Sequence, residues 1–443
     1  MFFLPEVSDR ELPRILDAFV GITGPDEWTR CIDRMGQRLA QNEFLRAYLN
    51  QTYSLELEFE RLLFEIAGSG QGNQPIDSVE RYRLFAFMTT TVMVFERLNP
   101  LGKNRLKGMI LGGLRDHGLT PLQQEMAVVA HLLGGGFDVS FSDMENGSGF
   151  DFLAKKEEIE IEVECKRVGP SLGRKVPCLE TLQLHKRLYL QVEPTFVKLE
   201  CGLFLRVVLP GRLNANESQQ TTIAAAVGSA IRTGVTCQTK HCRVEVHAFD
   251  VSGTPFERAS GEAADMPELR VYIEARYNIE NREMLILGTK GTKRALVISV
   301  ESELRDTVLR SLFSDLSKSV ERQFSLTRPG ILCVQFMDMT NEQILRIESA
   351  SDDPKEPKRP SQLWIKTSDF LQSTKRSHIL SVAFRGHGIV ERKSAQYGEI
   401  LTTAMQEQGN AFYVSNGNHP LVHDRRYSIF APEGAAQSSR VLL

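Results

Sequence analysis

Apolar residues recur at helical spacing through the first ~115 residues, and then the period changes. Helices are expected at Asp9–Val20, Glu27–Leu49, Leu55–Ala67 and Val79–Leu98, with the polar Gly68–Pro75 loop between the last two. A further helix follows Leu119. Thr120 is a good N-cap, Pro121 suits the first helical position, Gln123 completes a capping box and Gly134 is a natural stop. Its buried stripe is Leu122, Met126, Val129 and Leu133, with Glu125 on the border. From Phe137 the chain turns strand-like. Phe137–Phe141 alternates, Asp151 sits in the run Phe150-Asp-Phe-Leu, and Ile159, Ile161, Val163 and Cys165 alternate with Glu160, Glu162, Glu164 and Lys166. Thr181–Leu190 reads as a helix.

Further strands are expected at Leu203–Leu209, Val244–Phe249, Leu269–Ala275 and Ala295–Val300, with a helix at Thr222–Thr233 among them. An amphipathic helix, Glu303–Phe324, leads through Pro329-Gly330 into a buried strand, Gly330–Phe336. Ser252–Glu268 is polar and Gly-rich and reads as a mobile loop, and Ser351–Pro360 resembles a linker. The last ~80 residues mix strands and turns and end in a frayed Ala435–Arg440 tail. No internal repeat is visible.

Composition narrows the class. At 443 residues the chain has room for two or three domains, and 42% hydrophobic with 25% charged residues describes an ordinary core-forming protein. The net charge of −3 excludes a generally basic nucleic-acid coat, so any such binding must come from a local patch. The seven cysteines, at 31, 165, 178, 201, 237, 242 and 333, show no paired framework, which fits a reducing cytoplasm. The first residues, MFFLPEVSDRELP, lack the basic and long apolar regions of a signal peptide. No apolar stretch is long enough to span a bilayer, so no membrane partner is expected.

The chemistry concentrates between Gly149 and Val168. Two carboxylates and a lysine on adjacent strands can hold a divalent metal and a water beside a phosphodiester. Strand alternation projects Glu164 and Lys166 together, while Glu160 and Glu162 read as solvated residues of a wet face. E-x-K alone is a common product of such a face. The neighbouring Asp151, an acid inside an apolar run, and Glu125, an acid bordering a buried stripe, add the weight. Asp138 and Asp143 compete with Asp151 for its place. Arg167, Arg174, Lys175, Lys186 and Arg187 follow, with only Glu180 as an acid between Lys166 and Arg187, which suits a phosphate backbone.

The order helix, strand, strand with Asp151, strand with Glu164 and Lys166, then helix resembles the PD-(D/E)xK nuclease superfamily. The resemblance covers residues 119–190. It implies an α/β fold, a restriction-endonuclease-like mixed sheet flanked by helices, here preceded by an all-helical N-terminal domain. It implies Mg²⁺ as cofactor, with Mn²⁺ able to substitute, held by Asp151, Glu164 and the Cys165 carbonyl. Glu125 matches the helix acid that related enzymes add. Lys166 would orient the attacking water, and Gln183, Lys186 and Arg167 would meet the substrate.

Domains are expected at 1–117 (helical), 118–345 (nuclease-like, with an insertion near 210–290) and 346–443 (α+β). Either Gly330–Phe336 or Leu203–Leu209 could complete the nuclease sheet. The expected function is a divalent-metal-dependent nuclease acting on DNA, with RNA as a third possibility and restriction or anti-phage defence as an analogy. The alternative is a non-catalytic nucleic-acid-binding or assembly subunit that keeps the fold. The N-terminal helices are expected either to gate the site, by occluding it or by binding a partner, or only to extend the core or form a dimer interface, and the Thr120 capping box to let the remainder fold without them. Cys237, His241, Cys242 and His247 have no standard zinc spacing, His419 and His423 flank a proline, and no Walker-type phosphate loop is encoded.

Overall fold

The structure, a computed structural model, describes residues 11–69, 79–147, 149–252, 254–255, 267–279, 284–288, 294–340, 362–387, 390–397, 400–407, 412–427 and 429. In chain order the helices α1 (Leu12–Thr23), α2 (Asp26–Gln41), α3 (Arg46–Thr52), α4 (Ser54–Ser69), α5 (Val79–Arg97), α6 (Pro100–Arg115) and α7 (Thr120–Gly134) precede β1 (Asp138–Phe141), α8 (Ser142–Asn146), β2 (Phe152–Lys156) and β3 (Ile159–Val168). Then come α9 (Cys178–Phe196), β4 (Gly202–Leu209), α10 (Glu217–Thr233), β5 (Cys237–Gln238), β6 (Arg243–Phe249), α11 (Pro267–Tyr277), β7 (Met284–Gly288) and β8 (Ala295–Ser302). The chain continues with α12 (Val308–Gln323), β9 (Gly330–Thr340), α13 (Gln362–Leu371), β10 (Ile379–His387), β11 (Val390–Tyr397), β12 (Ile400–Glu407) and β13 (Phe412–Ser415). The protein is α/β with mixed sheets behind a helical N-terminal region.

Two compact units result. One comprises Met1–Gly36, Leu49–Gly169 and Leu309–Leu443, the other Gln37–Tyr48 and Pro170–Val308. These divisions do not coincide with those expected at 117 and 345. The inserted segment is also wider than residues 210–290.

The first unit is built on a six-stranded sheet of order β1-β2-β3-β9-β10-β13. β1, β2 and β3 are antiparallel neighbours, β3–β9 and β9–β10 are parallel, and β13 returns antiparallel to β10. A parallel pair needs a long crossover, and here the chain leaves after β3 and returns through α12. Gly330–Phe336 therefore completes this sheet, and Leu203–Leu209 does not. The C-terminal residues of β10 and β13 extend the same sheet, whereas β11 and β12 pair only with each other.

Both faces of β3 are covered, which corrects the reading of Glu162 as solvated. Glu162 is fully buried and accepts hydrogen bonds from the Ser325 amide (2.8 Å) and hydroxyl and from Arg328 (3.3 Å). Glu160 lies at the rim, paired with Lys155 (2.6 Å) and Arg328 (2.7 Å). A carboxylate can be buried in such a strand only because donors surround it. Gly149 marks a close approach in the loop before β2, because a Cβ there would lie 2.6 Å from the Cα of Gln323.

The N-terminal helices share this unit's core. Phe19, Trp28, Phe59 and Phe87 interlock, with Trp28 and Phe59 centroids 4.0 Å apart. The expected Thr120 cap is not made. Its hydroxyl donates instead to Thr52 O (2.9 Å), and the N-cap is Leu119, without a side-chain bond. The Leu119 amide is satisfied by Glu56, whose Oε1 lies 2.7 Å away. A carboxylate from α4 thus replaces the local cap, favoured by the positive end of the helix. Burial pushes the Glu56 carboxyl up to about 7. The N-terminal helices are therefore packed on α7, which Gln124 ties to the sheet.

The second unit has a five-stranded sheet of order β5-β6-β4-β8-β7, parallel only between β4 and β8. α9 and α10 bury Leu188, Val192, Ile223 and Val227 with Leu205 and Ile298 of the sheet. A separate cluster joins Phe204 and Val297 to Ile273 of α11, and Phe204 stacks on Tyr277 at 4.1 Å. Leu269–Ala275, expected as a strand, is helical because its apolar residues also fit a 3.6 period. The expected single helix Glu27–Leu49 breaks at Asn42, whose side chain accepts from the Phe44 amide (3.2 Å) and donates to Leu182 O (3.0 Å). Most of Gly68–Pro75 and Ser252–Glu268, and all of Ser351–Pro360 and Ala435–Arg440, lie outside the described residues.

Candidate active site

β3 and the loop before β2 bring the predicted acids together. Glu164 is 1% exposed, and Lys166, two residues on and therefore on the same strand face, places Nζ 2.5 Å from Glu164 Oε1. Glu164 Oε2 is buried and has no hydrogen-bond partner among the described residues. Asp151 is fixed across the hairpin, where its Oδ2 accepts from the Cys165 amide at 2.7 Å. α7 adds Glu125. Its neighbour Gln124 holds the helix to the sheet, with Nε2 at 3.4 Å from Lys166 O and 3.3 Å from Cys333 O.

The acids act on one another electrostatically. Burial raises the Glu125 carboxyl to about 8, reinforced by Asp151, Asp143 and Glu164 and opposed by Lys166. Burial and then Asp151 raise Glu164 to about 8, again against Lys166. Asp151 rises to about 6 through burial and the charge of Asp143, held back by the Cys165 N–H. Asp143, in the first turn of α8, is raised by burial, and its Oδ1 is buried and unpartnered among the described residues. Such mutual raising is the signature of like charges sharing a poorly solvated place.

Asp143 competes with Asp151 for its place in the sequence. Both belong to the cluster, Asp151 on the β3 amide and Asp143 as its charged neighbour. Gln124 and Cys333 were not anticipated. The one available signal was a polar pair, Gln124-Glu125, on an otherwise apolar helix. Arg167 is exposed on β3, on the face opposite Lys166. Gln183 and Lys186 are exposed on α9 and belong to the second unit.

The donor set is that of a hard divalent cation: carboxyl oxygens, two of them orphaned among the described residues, with more carboxyl groups than the single lysine. The spacing is not that of a closed cage. Among the described residues no three His, Cys, Asp or Glu side chains are arranged to hold an ion, and Lys166 takes up one Glu164 oxygen. His419 instead accepts the Leu421 amide through Nδ1 (3.1 Å), as part of a turn.

Comparison with known proteins returns nothing: no family model, no curated protein and no solved structure matches the chain. Among the described residues, no helix is long and apolar enough to cross a membrane.

Proposed function

We propose that this protein is a divalent-metal-dependent phosphodiesterase of the PD-(D/E)xK type, with the restriction-endonuclease-like sheet as its core and DNA as its substrate. The observation that carries the reading is the cluster of Asp151, Glu164 and Glu125 around Lys166, with Glu164 Oε2 lacking a partner among the described residues. Asp151, Glu164 and the Cys165 carbonyl would hold Mg²⁺ or Mn²⁺, with Glu125 beside them. When bound, the metal supplies a water of lowered pKa and neutralises charge on the scissile phosphate.

The chain's own residues do the rest. Glu164 holds the Lys166 ammonium at the strand face. From there Lys166 orients the attacking water and stabilises negative charge developing on phosphate oxygen. Asp151 keeps its position through the Cys165 amide. Arg167, on the opposite face of the strand beside Gln335, does not share this site. The biological setting proposed is cytoplasmic defence against foreign DNA.

Mn²⁺ titration by calorimetry tests the metal assignment. Wild type should bind, and Asp151→Asn and Glu164→Gln should each bind more weakly, because a neutral ligand replaces an anionic one. Equal Mn²⁺ affinity in all three proteins would remove these residues from the site. A non-catalytic subunit with this fold would bind nucleic acid with no dependence on the metal.

A further inference from the structure

A polar cavity lies in the first unit, on the sheet face that carries Cys333. Arg385 of β10 and Gln335 of β9 are direct register neighbours and share that face. Both line a cavity of about 650 Å³, part of it open to solvent, together with Arg83 of α5 and Thr120 and Gln123 at the start of α7. Arg385 is only 8% exposed. Burial and the nearby charge of Arg83 bring it down to about 10. Burial likewise lowers Arg83. Arg83, on which Glu80 also acts, and Arg385 both line this cavity, and no described residue of its wall is acidic.

The rest of the wall narrows the class of ligand. Paired arginines are suited to the bidentate recognition of phosphate or carboxylate. Gln335 Oε1 is buried and has no partner among the described residues. A fully deprotonated anion offers nothing to a carbonyl acceptor, whereas a ligand hydroxyl does. Phe87 and the aliphatic wall accept an apolar body.

From this arrangement we propose that the cavity binds a small phosphate monoester bearing hydroxyl groups. Arg83 and Arg385 take the phosphate and Gln335 accepts from a hydroxyl. This site is distinct from the carboxylate cluster, although Gln124 touches both its wall and the Lys166 carbonyl. The proposal does not depend on the nuclease reading, because binding is measured without cleavage.

The test is calorimetric titration of the full chain with AMP, ribose 5-phosphate, inorganic phosphate and adenosine, in EDTA. AMP or ribose 5-phosphate should bind and adenosine should not, which separates the phosphate from the base. A response to AMP alone identifies a nucleotide site, and an equal response to ribose 5-phosphate a sugar-phosphate site. Arg83→Gln and Arg385→Gln should each weaken binding at least ~10-fold, the scale of a lost charge-assisted contact. Arg385→Lys reads the same loss if the glutamine variant does not fold. Gln335→Leu should weaken the ester more than inorganic phosphate, and Glu164→Gln should leave binding unchanged. Failure of the wild-type chain to bind either ester at millimolar concentration, or unchanged affinity in folded variants of both arginines, would overturn the proposal.

Discussion

Glu164→Gln should make the metal-free protein more stable near pH 8 and flatten its dependence on pH. The glutamine keeps the shape of the side chain and removes the charge that this site disfavours. Glu164 is 1% exposed, and burial together with Asp151 lifts its carboxyl to about 8 from an ordinary 4.5. The folded state therefore holds a proton that the unfolded chain has released. Its stabilising contribution is complete below pH 4.5 and is lost as pH rises through about 8. Each pH unit in that window is worth about 1.4 kcal/mol per proton, so the upper limit between pH 5 and pH 8 is about 4 kcal/mol. Lys166, at 2.5 Å, reduces the loss, since its charge favours the ionised acid. Urea unfolding in EDTA at pH 5, 6.5 and 8 measures it. Wild type should lose stability across the series and Glu164→Gln should lose less, so that the difference grows with pH. Added Mg²⁺ should restore wild type by mass action and leave the variant unmoved. Parallel wild-type and variant curves in EDTA would refute the assignment of a raised carboxyl to Glu164.

Other consequences concern the neighbours. Asp143→Asn removes a charge that raises both Glu125 and Asp151. Mn²⁺ binding should then begin at lower pH, by up to about one unit, whereas complete loss of binding would make Asp143 an obligatory ligand. Deleting residues 1–115 should give an insoluble or unfolded chain, because it removes the Glu56 carboxylate from the Leu119 amide and Thr52 O from the Thr120 hydroxyl. A buried donor left without its acceptor costs about 1–3 kcal/mol, and the loss of the aromatic core adds to it. A soluble truncation with a cooperative unfolding transition would return the helices to the role of a separable gate.

The site was legible in the sequence where chemistry conflicts with pattern. Asp151 stands in an apolar run and Glu125 borders an apolar stripe, and both belong to the cluster. Glu164 and Lys166 follow from alternation alone. Glu162 was misread because a local pattern of alternating charge cannot reveal that the Ser325–Arg328 segment covers that face. The Thr120 capping box failed for a related reason: its partner atoms went to α3 and α4, far away in sequence. β9 was found by its apolar run, yet its place beside β3 depends on a crossover that skips the whole second unit. Leu269–Ala275 fits a strand and a helix equally over so few residues, and packing of Ile273 decided it. Asp143 sits in a short polar helix with no periodicity, so only proximity distinguishes it.

On the proposed function, the Asp151–Glu164–Lys166 cluster cuts phosphodiesters. Its most direct test is to incubate the purified full chain with supercoiled, linear and single-stranded DNA, and with RNA, in Mg²⁺, Mn²⁺ or EDTA, beside Lys166→Ala. Cleavage of DNA by wild type in Mg²⁺ or Mn²⁺, none in EDTA, and a fall of at least ~10²-fold in folded Lys166→Ala are predicted. Lys166→Ala that cuts at the wild-type rate, or wild type that cuts nothing in either metal, would contradict the account.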